Sequence, residues 1–321
     1  MRQSEAVLSG AAAEGRPKSR RKPRLRSSDK ELSLLALPAA IYIFVFSYLT
    51  MFGVIIAFKN YRYDKGIWGS EWVGLANFEF FFLTEKAYIV TRNTVLYNVW
   101  FFIVTTLCAL LVAVLLNEIS RKWSKYYQTV MFLPTFVSWV VIMYLAEIFL
   151  HHDYGFINQV LQAFGAERVR WYLEPANWPA ILTVAHLWKS IGFSALVYYA
   201  GIVAIDPSYY EAARIDGATR FQMVRKITIP MLAPLITILL IMNIGSMFRG
   251  DFGLHFFVSG NSPLLYNSVD IIDTFVYRAL SVSGDTSMAA AVGLYQSLVG
   301  FVLVVAANYV VRKINEENSL W

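Results

Sequence analysis

Charge is scarce in this sequence: 16% of its 321 residues are Asp, Glu, Lys or Arg, against about 25% in a soluble globular chain. Cysteine is scarcer still. Cys108 is the only one, so no disulfide can form within the chain. No G-x-x-x-x-G-K-[ST] loop is present to cradle nucleotide phosphates. There is no G-x-S-x-G nucleophile elbow and no H-E-x-x-H zinc motif. His151-His152-Asp153 brings metal-ligating residue types together. Adjacent histidines on a helix point away from each other, and no third or fourth ligand is spaced to help, so no metal site is expected.

Apolar residues fill the space these absences leave. They make up 57% of the chain, and the mean hydropathy is +0.48. They gather into six runs at about 34–58, 96–116, 127–150, 179–205, 230–248 and 288–311. Each meets or nearly meets the roughly 20 residues a helix needs to cross hydrocarbon about 30 Å thick. Open strands would leave backbone groups unpaired in lipid, so the expected fold is all-α and polytopic, with six transmembrane helices. Pro134 and Pro234 are expected to kink or open their helices. The first run is longer than a signal-peptide core and reads as a retained span.

Before these spans, residues 1–31 form a polar, basic tail that cannot bury a core and is expected to be disordered; 32–321 is the membrane domain. The tail either solvates or touches anionic headgroups. The basic residues lie with the tail and the membrane loops, so nucleic acid is not an expected partner. With the N-terminus in the cytoplasm, the inner segments carry eighteen Lys and Arg and the outer ones nine. The positive-inside rule therefore places both termini inside, together with the loop 206–229 between the fourth and fifth helices. Trp68, Trp72, Trp171 and Trp178 fall in outer segments, either as an interfacial belt or as a stacking surface for sugar rings. Residues 270–278 are expected to form a short amphipathic surface helix.

That loop holds a polar, helix-friendly stretch, EAARIDGATRFQMVRKITIP, from Glu211 to Pro230. Ser208 and Glu211 have capping-box spacing, which starts a helix at Tyr209. Gly217 is a natural stop because glycine enters the left-handed conformation without a Cβ penalty. Thr219 and Gln222 give a second cap, a second helix runs towards Thr228, and Pro230 opens the next apolar run. If Glu211 is used as a cap, it is less free to meet a partner.

Glu211-Ala212-Ala213, Gly217, and then Ile227-Thr228-Ile229-Pro230 after nine intervening residues resemble the EAA loop of permease subunits in ATP-binding-cassette (ABC) importers. Ile229 in place of leucine is the only departure at the motif positions. Val73-Gly74-Leu75-Ala76-Asn77-Phe78, Phe132-Leu133-Pro134 and Asp153-Tyr154-Gly155-Phe156-Ile157-Asn158 resemble segments of carbohydrate-importer permeases. The stretches 245–253, 272–278 and 291–297 resemble the LplB-like branch, associated with oligosaccharide uptake. The resemblance implies that the loop is a coupling helix docking on an ATPase, with Glu211, Ala212, Ala213, Asp216, Gly217 and Pro230 as its key positions. It also implies a second homologous permease subunit, two ATPase subunits carrying ATP and Mg, and an extracytoplasmic solute-binding protein. The chain itself would bind no cofactor.

Polar residues inside the spans are candidates for the path. Lys189 lies ten residues past Pro179, about 15 Å along the fourth helix, and Asn243 sits at similar depth on the fifth. Arg249 and Asp251 follow near the outer mouth. Two cations at different depths would guide an acidic sugar, unless Asp251 neutralises Arg249. Lys189 otherwise snorkels or caps helix carbonyls, and Asn243 otherwise bonds a neighbouring helix. A permease for another small solute remains an alternative. An intramembrane enzyme would need clustered acid, base or metal ligands, and a secondary transporter an internal repeat of spans; the sequence displays neither.

Overall fold

The computed structural model describes residues 27–314; the tail expectation for residues 1–26 falls outside them. The first unit ends at Phe52: a helix, α1 (Ser27–Ile43), continued by a π-turn at Phe44–Tyr48 and the opening residues of a 3-10 stretch, Leu49–Phe58, whose remainder from Gly53 begins the second unit. Residues Leu32–Phe58 are long and apolar enough to cross a membrane, and their side chains are almost all exposed.

The rest of the described chain belongs to that second unit. A short antiparallel pair, β1 (Lys59–Asn60) and β2 (Glu71–Trp72), comes next, with Lys59 opposite Trp72. The buried Lys59 ammonium holds the turn between them by donating to the carbonyls of Ile67, Trp68 and Ser70 at 2.9–3.3 Å. The major helices follow: α2 (Glu85–Glu118), α3 (Arg121–Phe132), α4 (Trp139–Leu150), α5 (Trp178–Val203), α6 (Pro207–Ile215), α7 (Arg220–Gly245), α8 (Ile272–Ser283) and α9 (Thr286–Ile314).

Five helical segments can span a membrane, or six if the bent pair Arg121–Phe136 and Trp139–Leu150 forms one crossing. The expected third span is thus broken. Pro134 sits in a 3-10 turn, Leu133–Phe136, and the chain then bends by 97° before Ser138 caps α4 by accepting from Val141 N–H. Pro234 behaves differently, lying within α7 without ending it. The second span is longer than its apolar run, because Thr84 caps α2 and the helix starts at Glu85, eleven residues before Leu96.

Two small-residue contacts set how closely the spans approach. Ala109 and Ala113 of α2 are buried with Ala195 and Tyr198 of α5 and Leu232 of α7. Small side chains bring backbones close and recover dispersion contacts that lipid would otherwise supply. At Gly192 a Cβ would lie 1.8 Å from the Met131 carbonyl oxygen, so only glycine lets α5 cross α3 there. Further along, Trp178, Leu182, Leu254, Val258 and Ile271 form a fully buried core with Tyr97 and Phe101.

α8 corrects the expected surface helix. Residues 272–283 are helical, but Ile272 and Ala279 are buried with Val90 and Met288, and Thr274 is buried with its hydroxyl bonded to Asp270 and Ile271. Arg278 pairs with the buried Asp270 and lies 4.0 Å from the Tyr266 ring centroid. Burial pushes the Asp270 carboxyl above its ordinary range, against the pull of Thr274 and Arg278. His151, His152 and Asp153 occupy a turn rather than a helix. His151 stacks on Tyr154, and Asp153 lies 3.8 Å from Arg168. Among the described residues no group of three His, Cys, Asp or Glu is placed to hold a metal ion.

Candidate docking loop and membrane cleft

The 206–229 segment folds as helix, tight turn, helix. The first cap is not the expected Ser208–Glu211 box. Asp206 is the N-cap, its carboxylate accepting from Ser208 N–H at 2.9 Å, with Pro207 opening α6. This bond holds the Asp206 carboxyl below the usual carboxylate range. The proline supplies a preset φ at a position that needs no donor. Glu211 is thereby released from capping and stands exposed.

Gly217 ends α6 at φ +76°. Gly217 N–H donates to Arg214 O at 3.1 Å and Ala218 N–H to Ala213 O at 2.9 Å. These two bonds make a Schellman stop. Thr219 and Gln222 then form the expected reciprocal capping box, and α7 starts at Arg220. The second arm and the fifth span are one helix, not two. A π-turn at Val224–Thr228, closed by Ile229 N–H on Val224 O, carries the helix past Pro230, which has no N–H to give. Tyr210 and Thr228 tie the two arms by a hydroxyl–hydroxyl bond of 2.9 Å. Arg220 pairs with Glu118 at the end of α2.

The loop's outer surface carries Glu211, Ala212, Asp216 and Gly217, all exposed, with Ala213 half-buried. It also carries two residues the sequence reading passed over. Ile215 is 87% exposed and Phe221 74%. Their signal was a large apolar side chain on each side of a glycine stop inside a polar segment. Exposed apolar groups of this kind occur at contact surfaces, whether with protein or with membrane.

The second candidate is a cleft of about 580 Å3 among α2, α5 and α7. Asn98, Phe101, His186, Phe193, Asn243 and Asp251 contribute to its lining. The Phe101 and His186 rings stack at 4.3 Å. Thr105, also on the wall, has a buried hydroxyl without a hydrogen-bond partner. Burial pushes the Asp251 carboxyl up, against the backbone N–H groups of Leu254 and Gly253, the Lys189 ammonium and the Trp139 indole.

Of the four expected path residues, Asn243 and Asp251 line this cleft and Lys189 and Arg249 do not. Lys189 turns its ammonium to the break in the third span. It donates to the carbonyls of Thr135 and Val137 and lies 5.2 Å from the centre of the Trp139 ring. Arg249 donates to Ser297 Oγ at 3.1 Å, and among the described residues it forms no ion pair with Asp251.

The comparisons with known proteins follow this geometry. The model of the binding-protein-dependent transport system inner membrane component matches residues 105–316. The chain belongs to that family. It is 34% identical to the protein LplB of Bacillus subtilis (strain 168), over 90% of this chain and 91% of that one. It is 35% identical to the polygalacturonan/rhamnogalacturonan transport system permease protein YteP of the same organism, over 90% and 89%. A crystal structure of a bacterial ABC transporter involved in the import of the acidic polysaccharide alginate superposes with a TM-score of 0.81 at 31% identity, covering 90% of this chain and 97% of that one. This inner membrane component is thus a multi-pass ABC permease component and not itself an enzyme; hydrolysis of ATP resides on a separate subunit.

Proposed function

We propose that this permease forms part of the path by which an ATP-driven importer moves an oligosaccharide into the cell. The observation that carries the reading is the loop 206–229. It is a helix–turn–helix that leaves Glu211, Asp216, Ile215 and Phe221 exposed and is tied to α2 and continuous with α7. ATP closure on two separate ATPase subunits would move this loop and, through α7, the wall of the cleft. A second homologous permease would complete the path, and an extracytoplasmic binding protein would deliver the sugar. Support for that last partner comes from the alginate transporter, crystallised with its alginate pentasaccharide-bound periplasmic protein. The orientation follows the distribution of Lys and Arg, with both termini and the loop in the cytoplasm.

For the cargo, two of the similar proteins, YteP and the alginate transporter, carry acidic polysaccharides in their names. The cleft in this subunit is lined by aromatic rings, amides, hydroxyls and the Asp251 carboxyl, with no lysine or arginine among its lining residues. Its contribution is therefore ring stacking and hydrogen bonding to sugar hydroxyls; carboxylates of an acidic oligosaccharide would be met outside this cleft. Co-expression of the chain with its ATPase and permease partners, followed by affinity purification, tests the reading. The tagged chain brings the ATPase with it, and Glu211→Lys releases it. A chain that purifies alone under gentle extraction would exclude the coupling role.

A further inference from the structure

A cavity of about 430 Å3 lies between the loop 206–229 and the adjoining ends of α2 and α5. It opens where two apolar runs end, at Leu116 and Ile205, and a third begins, at Pro230, so it sits at the boundary between hydrocarbon and headgroups. Three arginines line it: Arg121, Arg214 and Arg220. Arg220 is paired with Glu118, and the other acid in the lining is Glu211. Among the described residues Arg121 and Arg214 form no ion pair, so the cavity keeps a positive surplus. Tyr199, Tyr210, Asn117 and Thr228 add polar groups to the same walls.

The helix that brings Arg121 to the cavity is itself built for an interface. α3 begins Arg121-Lys122-Trp123-Ser124-Lys125-Tyr126-Tyr127, with Trp123, Tyr126 and Tyr127 all exposed. Their rings form one cluster with centroids 5.7–6.2 Å apart. Amphipathic aromatics of this kind settle at headgroup level, and lysines beside them draw anionic lipid. A guanidinium offers parallel N–H donors that match phosphate oxygens.

We propose that this cavity holds the phosphate headgroup of an anionic phospholipid, with Arg121 and Arg214 as its direct ligands. Arg214 belongs to α6 and Arg121 to α3, so the bound lipid braces the docking loop against the membrane domain. The placement rests on the cytoplasmic orientation of the loop, where the leaflet is anionic.

Native mass spectrometry of the full chain, extracted gently from membranes containing phosphatidylglycerol and phosphatidylcholine, tests the site. The expected result is selective retention of phosphatidylglycerol, falling by about tenfold or more in the Arg121→Gln/Arg214→Gln variant. Arg121→Lys keeps most of the retention, and Arg62→Gln, outside both the cavity lining and α3, changes it little. Should the double variant not assemble, Arg121→Gln alone decides. Equal retention of the two lipids, or unchanged retention in an intact Arg121→Gln variant, overturns the proposal. Displacement of the lipid by inorganic phosphate alone assigns the cavity to a free anion and also overturns it. Lipid retention is read on this chain whether or not an ATPase co-purifies, so its failure is distinct from failure of the coupling role.

Discussion

Lys189 and Thr135 clasp each other across the break in the third span: the Lys189 ammonium donates to Thr135 O at 3.0 Å, and the Thr135 hydroxyl donates back to Lys189 O, also at 3.0 Å. A 97° bend frees carbonyls that a continuous helix would have paired, and a lysine from the neighbouring helix meets two of them. This explains how a cation is tolerated so deep in α5. Lys189→Met removes the donor and leaves those carbonyls unmet, at a cost of about 1–3 kcal/mol. The expected phenotype is a lower melting temperature of the purified protein, with uptake of acidic and neutral oligosaccharides falling in parallel. Selective loss of acidic cargo in an otherwise stable protein would return Lys189 to a charge-guiding role.

Gly217→Val costs stability through backbone strain alone. Nothing lies within 4 Å of a Cβ built there, but φ is +76°, where a β-branched residue is strained by about 1–3 kcal/mol. Gly217→Asn, which tolerates the left-handed region, is expected to restore most of the loss. Thermal unfolding of the two variants in the same detergent compares them directly.

Gly192→Ala tests the crossing of α5 over α3. Its methyl meets the Met131 carbonyl oxygen at 1.8 Å, so the helices must separate. Overpacking of this kind costs about 1–3 kcal/mol. Reduced yield of folded protein by size-exclusion chromatography is the expected result, whereas Gly293→Ala, with open space around its Cβ, leaves the yield unchanged.

Phe221→Asp and Ile215→Ser place polar groups on the docking face without touching a buried contact, since both side chains are largely exposed. Membrane insertion is expected to be normal and ATPase association to fall by about tenfold or more, the range of a hot-spot loss. A pull-down of the ATPase with each variant reads the effect.

Where one local pattern decided the structure, the sequence was enough. The six apolar runs, the Gly217 stop and the Thr219–Gln222 box were all legible, because each depends on residues a few positions apart. The cap at Asp206 was missed because Ser208–Glu211 has the same spacing logic, and Pro207 tips the competition towards the aspartate. The broken third span was only half legible: Pro134 announced a disturbance, but the carbonyls at the break are met by Lys189, more than fifty residues away. The same distance hid the function of Lys189 itself. Asn243 was named from its depth and Asp251 from its place beside Arg249; both line the cleft, which only the packing of helices far apart in sequence creates. Ile215 and Phe221 needed burial to be noticed, since sequence cannot say that an apolar residue in a polar loop faces outward.

ATP-dependent uptake by the reconstituted importer tests the central claim most directly. Proteoliposomes would contain this chain, its second permease and the ATPases, with binding protein supplied on the outer side and labelled acidic and neutral oligosaccharides as cargo. The predicted result is uptake of oligosaccharide that requires ATP, stops in Phe221→Asp, and falls in Asn243→Leu while the ATPase remains bound. Uptake that persists without ATP or with the loop disabled, or the absence of uptake for every oligosaccharide by an intact complex, would contradict it.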